Sequence, residues 1–571
     1  MADSIAVQTK TPELTTRSII VGLVVAMIIG SAYPYCVLKL GFGPNLSVVS
    51  AFFGFIALVM ILRAAGTNPR ENNIVQTMGT SAGQTAFMAV LLAAFDMLNA
   101  KGLFNPPIHL NTLQIFLWLC SASLLGILLA VPMRRHYIDE ENLTYADGLA
   151  AGETIKVLHE GREKGVSAGP VKALGLGTLA SGALMAVTQI WKPFNDTWFL
   201  PGKQPMNIGL NWSLLSFGSG LLVGFRVCLA MAIGTAISWF ILPNYLVAHG
   251  MIPTQTYPET LRWVMWPATG LMVAGGLASL ALKWNLIVKT FRGLRGSQMQ
   301  HSDFPMRYVV IGSIVMTIII CLVQFFSMGI PVWLSFIAIV LSLPLMLVGL
   351  RVLGETNWGP ISAMSNMMQA IFAFISPGNV PVNMSSSGLT GTVAVTSEAL
   401  MQDFKAGQLV KSNPRNLTVA QLIAAPVVSI ATAIVYPVLR DHFGIGPKGL
   451  SSPISVKWAG FAELLTRGLQ ALPRGCLIAL VVAIIVGIVL TLLAEKWERM
   501  TPSPAAIGIG MLIPASVLMT FILGGFAQLI WAKTSPESEK NYRIPLASGL
   551  IAGEAILAVV LAILAAAGVN F

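Results

Sequence analysis

Three stretches of the chain carry residue types that could do chemistry. The first, residues 68–85 (NPRENNIVQTMGTSAGQT), places Asn72, Asn73, Gln76, Thr80, Gly83 and Gln84 on one face of a helix, with Ser81 beside them. Amides and hydroxyls in such a stripe can hydrogen-bond the amides or carboxylates of a solute. The plainer reading is helix–helix adhesion, helped by the close approach that Gly79 and Gly83 allow, where each polar contact is worth only ~0.6 kcal/mol on average. The second, residues 143–153 (LTYADGLAAGE), sets Tyr145, Asp147 and Glu153 among small residues. Carboxylates inside an apolar helix are costly and mark proton relays or ion paths, although Asp147 could instead cap a helix. The third runs over residues 359–405. It carries Ser362, Ser365, Asn366 and Gln369, then Asn383, Ser385, Ser386, Ser387, Thr390, Glu398 and Asp403. A polar, mostly neutral, glycine-rich liner suits a zwitterionic or chelated solute better than a bare ion. Glu554 stands alone in an apolar final helix, as a further candidate or as a hydrogen-bond partner for a neighbouring helix.

The elements that must hold these groups are dictated by composition. The chain has 571 residues, of which 10% are charged and 55% hydrophobic, against about 25% charged in a soluble domain. Such a chain dissolves in lipid, so its net charge of +11 speaks for basic loops on the cytoplasmic side and not for nucleic acid. The densest basic loop has Lys283, Lys289, Arg292, Arg295 and Arg307 against Asp303, which places it in the cytoplasm. Cys36, Cys120, Cys228, Cys321 and Cys476 are scattered singly through apolar runs and read as buried hydrophobes. Residues 1–17 form a polar lead into a retained helix and not a cleaved signal.

A spanning helix needs about 20 apolar residues. Residues 18–39, 46–63, 111–132, 169–190, 227–247, 262–290, 308–328, 331–351, 419–439, 475–493, 505–531 and 544–568 satisfy this. Residues 72–98, 144–158, 214–225, 359–376, 378–400 and 454–469 are helical in length but too polar or broken for ordinary spans. The expected fold is an all-α integral membrane protein of about 14–16 transmembrane helices plus re-entrant or broken pieces. No loop is long enough for a separate soluble domain.

The chain also resembles itself. Residues 16–30 (TRSIIVGLVVAMIIG) recur in character at 307–320 (RYVVIGSIVMTIII), and 72–86 (NNIVQTMGTSAGQTA) at 383–397 (NMSSSGLTGTVAVTS). Val131-Pro132-Met133-Arg134 has a counterpart in Tyr436-Pro437-Val438-Leu439-Arg440, and residues 144–152 pair with 502–510. The expected organisation is therefore residues 18–300 and 301–571 as two repeated halves, inverted in the preferred version. Duplicated halves with interrupted helices at matching positions are a sign of secondary transporters.

Competing chemistries fit less well. Gly79-Thr80-Ser81-Ala82-Gly83 matches the G-x-S-x-G serine elbow, but no strand precedes it and the six histidines fall at helix ends or in loops. Twenty-six methionines could serve a soft metal, yet methionine at helical spacing is ordinarily gap-filling core. No phosphate-binding loop is present. Neither a metal site nor a cofactor is expected.

Specific motifs then agree with a known family. Arg70-Glu71-Asn72-Asn73-Ile74-Val75-Gln76-Thr77 with Gly79–Gly83 resembles the signature of the oligopeptide transporter (OPT) superfamily. Phe116-Leu117-Trp118, residues 130–135 (AVPMRR), residues 145–153, Ser376-Pro377-Gly378-Asn379, Asn383-Met384, residues 401–407 (MQDFKAG), Pro502-Ser503-Pro504 and residues 508–511 (GIGM) are similar to its later blocks, in family order. The match is to the prokaryotic and yellow-stripe-like branch, since the fungal Asn-Pro-Gly and Lys-Ile-Pro-Pro-Arg motifs are absent. The resemblance implies a proton-coupled importer of short peptides or peptide-like metal chelates, in the plasma (cell inner) membrane. A homodimer is the assembly to test. The solute would meet Asn72, Asn73, Gln76, Ser81 and Gln84 on one wall and Asn366, Gln369, Asn383, Ser385, Ser386 and Ser387 on the other, with Tyr145 nearby. Glu153, Glu398 or Asp403 would take up the proton, and Glu71 would gate or pair with Arg70. A passive channel or a structural membrane protein is the alternative, and an intramembrane serine hydrolase a more distant one.

Overall fold

The structure is a computed structural model that describes residues 12–40, 46–62, 66–104, 107–164, 169–191, 195, 197–282, 304–445, 450, 453–466, 473–497 and 501–566. The basic loop used above to orient the chain lies outside them, apart from Arg307. Ten helical segments are long and apolar enough to cross a bilayer, from Thr16–Tyr35 to Ala515–Thr534. Four further long helices, Ala146–Lys164, Tyr257–Leu282, Val380–Val410 and Pro536–Ala566, are not among these ten. Apart from one antiparallel pair, Thr197–Phe199 against Gly209–Asn211, the named elements are helical. The protein is an all-α multi-pass membrane protein.

Its surface confirms which solvent it faces. Phe326, Ile478 and Leu179 are 77%, 73% and 71% exposed, and the helices Met306–Met328 and Cys476–Lys496 bury little of themselves. Exposed apolar helices with internally satisfied backbones are what hydrocarbon selects. The polar helices are the inner ones: all but the last turn of Val380–Val410 and nearly all of Pro69–Phe87 are buried.

Two helices break where the sequence demands it. Residues 505–531, expected as one span, are divided into Pro504–Leu512 and Ala515–Thr534. Pro514 lacks an N–H and forces the residue before it out of the helical region, so Ile513 is extended at φ −82°, ψ 143°. Leu214–Val223 ends at Gly224, whose φ of +90° only glycine adopts readily, and Phe225–Thr235 starts beyond it.

Helices from before residue 300 pack on helices from after it. Pro69–Phe87 lies against Val380–Val410 and Pro414–Phe443, and Thr112–Ala130 lies against the same pair. Gly169–Ala186 packs on Pro536–Ala566, Tyr257–Leu282 on Cys476–Lys496, Leu214–Val223 on Ala515–Thr534, and Phe225–Thr235 on Pro504–Leu512. The seam between early and late helices is thus the core of the molecule. Close approach is built in by residues such as Gly148, where any Cβ would strike the carbonyl of Gln402.

Candidate functional site

Asp403 is the node of the buried seam. Its carboxylate is fully buried and accepts hydrogen bonds from Gln76 Nε2 (2.7 Å) and Gln421 Nε2 (2.6 Å). Gln76 Nε2 also donates to Thr80 Oγ1 (2.9 Å), and Asn73 Nδ2 donates to Gln76 Oε1 (2.7 Å). A looser chain continues from Thr80 through Ser47 to Gln402, each link 3.4 Å. Four helices meet here: Leu46–Phe55, Pro69–Phe87, Val380–Val410 and Pro414–Phe443.

Around this node, buried polar atoms are left over. Both amide atoms of Asn72, Asn73 Oδ1, Thr77 Oγ1, Ser81 Oγ and Gln421 Oε1 have no hydrogen-bond partner in the protein. Each unmade bond of this kind costs roughly 1–3 kcal/mol, and folded proteins rarely leave several along one helix. A mere adhesive seam would pair them. These atoms have hydrogen-bonding capacity to spare.

The second polar stretch does not face the first across a cavity. The two helices run antiparallel, so Gln76 meets Asp403 while Leu91 meets Gly388. Asn383 and Ser385–Ser387 therefore sit toward the opposite end of the seam from Asn72–Gln76. There, Ser365 Oγ donates to the Ser387 carbonyl (3.3 Å), and Gln369 Nε2 approaches Met384 Sδ (3.0 Å) and the Trp458 carbonyl (3.5 Å). Ser385 and Ser386 donate to the backbone one turn back. Asn366 Oδ1, Gln369 Oε1, Asn383 Oδ1 and Ser387 Oγ remain unpaired. Gln84 is half-buried. The expected two opposing walls are thus two clusters at different depths, a correction that follows from the antiparallel course of their helices.

The acidic candidates separate in the same way. Glu398, five residues before Asp403, points to the other side of its helix. It is buried against Gly349 and Gly359, with Oε1 unpartnered. Glu153 is buried, with Lys156 Nζ at 3.8 Å. Tyr145 is committed to structure: its hydroxyl donates to the Leu350 carbonyl (2.8 Å) and its N–H to that of Gly354 (3.1 Å). Asp147 accepts from Asn357 Nδ2 (2.7 Å). Glu554 accepts from Ser213 Oγ (2.8 Å) and the Leu215 N–H (2.9 Å), capping Leu214–Val223.

Glu71 takes a different partner from the one expected. Its carboxylate is fully buried and held by Arg17, with Nε at 2.8 Å and Nη2 at 2.6 Å, and by the Thr15 hydroxyl at 2.6 Å. Arg70 reaches Glu13 instead, at 3.4 Å. Side chains at successive helical positions point about 100° apart, so neighbours in sequence could not pair across this helix. Arg17→Leu would leave a buried carboxylate uncompensated, and removing one partner of a buried pair costs ~3–5 kcal/mol. Because Arg17 is one-third exposed, the lower end applies. The purified variant should melt clearly below the wild type, whereas an unchanged melting temperature would show that the pair adds nothing.

A cavity of about 290 Å³ opens beside the node, lined by Arg134, Asp139, Phe404, Gly407, Gln408 and Lys411 among others. Gly407 lies one turn beyond Asp403 and close to Asn73 Oδ1, although Asn72, Asn73, Gln76, Asp403 and Gln421 do not themselves line the cavity. Gln421 and Gln402 belong to the site but were missed. Gln421 is a single amide in an otherwise apolar span, and only its isolation there could have flagged it. No cluster of three or more His, Cys, Asp or Glu suited to a metal occurs among the described residues.

A lipid-facing shell surrounds a buried polar seam that joins early and late helices, as in a multi-pass membrane protein with a polar interior. Comparison with known sequences places it. The chain belongs to the family of the OPT oligopeptide transporter protein, whose model matches residues 13–565. Similar proteins include YGL114W of Saccharomyces cerevisiae, named as an oligopeptide transporter, 23% identical with 96% of this chain and 95% of that protein covered. YSL11 of Oryza sativa subsp. japonica, named as a metal-nicotianamine transporter, is 23% identical over 98% of this chain and 88% of its own. A Haemophilus influenzae protein named as an oligopeptide transporter is 25% identical over 88% of each. The relatives are named as transporters, in agreement with a carrier and not an enzyme.

Proposed function

We propose that this protein is a proton-coupled symporter that imports short peptides or peptide-like metal chelates by alternating access. The observation that carries the reading is the Gln76–Asp403–Gln421 node with its unpaired amides, buried between helices from both parts of the chain. Carboxamides and a carboxylate are the groups that recognise a peptide's amides and ammonium, or the same groups on a chelator. The names of the relatives support both solute classes.

The proposed division of labour follows from the contacts. Asp403, satisfied by its donors, organises recognition. Glu398, buried with an unpartnered oxygen, is the site that needs a proton, because an ionised carboxylate without donors costs several kcal/mol in such surroundings. Glu71 is a structural anchor for Arg17. The two halves, residues 18–300 and 301–571, would be inverted repeats. Support for the duplication, though not for the inversion, comes from the helix pairings, which reproduce themselves when early and late helices are exchanged. That exchange sets Leu214–Val223, and not residues 144–152, opposite Pro504–Leu512.

A screen of di- to tetrapeptides, free and as iron chelates, should raise the melting temperature of the purified protein for one class. Gln76→Ala should weaken uptake of that class roughly tenfold, through loss of one hydrogen bond to a charged group, with expression intact. Unchanged uptake would return this helix to the adhesive reading.

A further inference from the structure

The two ends of the central seam are closed differently, and the difference lies at matching positions. At the end away from Asp403, the Tyr436 hydroxyl donates to Asp96 Oδ2 at 2.5 Å. Tyr436 is buried and Asp96 half-buried. The bond ties Ala89–Ala100 to Pro414–Phe443, an early helix to a late one. Lys101 and Glu463 add a more exposed bridge at the same end, 2.5 Å long, of the kind that contributes little.

The internal repeat gives the counterpart. With residue 72 matched to 383, Asp96 falls on Gly407. With Pro132 matched to Pro437, Tyr436 falls on Val131. Gly407 lines the 290 Å³ cavity, and Val131 borders a crevice of about 20 Å³ that shares Arg134, Phe404 and Pro414 with it. A glycine and a valine cannot form the bond that an aspartate and a tyrosine form. One end of the seam carries a cavity where the other is tied.

We propose that the Asp96–Tyr436 hydrogen bond is the latch of the second port of this carrier, and that Asp96 and Tyr436 are positioning residues that set which port is open. The proposal rests on the alternating-access reading. Breaking the bond frees Ala89–Ala100 from Pro414–Phe443 and admits water toward Ser387, about 7 Å further in from Asp96 at five residues of helical rise. Opening there would present the second polar cluster, Asn383–Ser387 and Gln369, to solution on the side opposite Gly407. The Asp403 cluster would then serve one port and the Ser387 cluster the other.

The test uses the full chain in liposomes and needs no solute, so it gives an answer even if transport itself is never detected. Ser387→Cys is a conservative probe, since the Ser387 hydroxyl is buried and unpartnered. Its reaction with a water-soluble maleimide is followed by mass spectrometry of the modified peptide, which separates it from the native cysteines. Labelling should be slow with the latch intact and about tenfold faster in Tyr436→Phe, the shift expected when a hydrogen bond to a charged group is lost. Asp96→Ala should give the same rise, and the double variant no more than either alone. Gln408→Cys, in the cavity at the other end, should label quickly in all backgrounds. Unchanged labelling of position 387 in folded Tyr436→Phe and Asp96→Ala would overturn the latch. An equal acceleration at position 408 would overturn it too, by showing general loosening. Asp96→Ala carries the test alone if Tyr436→Phe does not fold.

Discussion

Asp403→Asn should reduce solute uptake roughly 10- to 100-fold while leaving the protein folded in the membrane. The carboxylate now accepts from two carboxamide nitrogens, Gln76 Nε2 and Gln421 Nε2. An asparagine turns one of its two acceptors into a donor, which must face one of those NH2 groups. A buried donor without an acceptor costs ~1–3 kcal/mol; turning the Gln421 amide, whose Oε1 has no partner in the protein, would supply an acceptor but leave Gln421 Nε2 without its own. The node loses its charge in either arrangement, and the proposed recognition uses that charge. Uptake of the solute identified by thermal shift, normalised to protein in the membrane, checks this. Uptake within twofold of the wild type would show that the charge is dispensable.

Glu398→Gln should separate coupling from movement. The side chain is buried and packs against Gly349 and Gly359, which leave it room. Glutamine keeps the volume and removes the proton site. Accumulation driven by an inward proton gradient should fall by more than about tenfold, the loss expected when the driving ion no longer exchanges. Exchange of labelled for unlabelled solute at equal concentrations should persist. If the variant still concentrates solute, the proton travels through another group, with Glu153 the next to test.

Much of the fold was legible because lipid is a demanding solvent. A chain with so few charges and repeated apolar runs had to be a helical membrane protein, and polar stretches such as residues 72–86 and 383–397 had to turn inward. The pairings within the site were not legible. Gln76 and Asp403 are 327 positions apart, and no local pattern in one sequence says that they touch. Sequence adjacency also misled: Arg70 stands beside Glu71, yet Arg17 holds it, because helical geometry sends neighbours in different directions. The two polar stretches looked like facing walls until the antiparallel course of their helices placed them at different depths. Pro514 could have been read as a break in residues 505–531, since proline removes the donor and restrains the residue before it. Tyr436 and Asp96 stand 340 positions apart, and their significance lies in the pair, which no local pattern announces.

Accumulation in sealed vesicles tests the central claim most directly. Purified protein is reconstituted into liposomes, and uptake of labelled peptide or chelate is followed with and without an imposed inward proton gradient. The account predicts an internal concentration above the external one only while the gradient lasts, collapsing when a protonophore is added. Uptake that merely equalises the two concentrations, with or without the gradient, would contradict it and leave a passive pore.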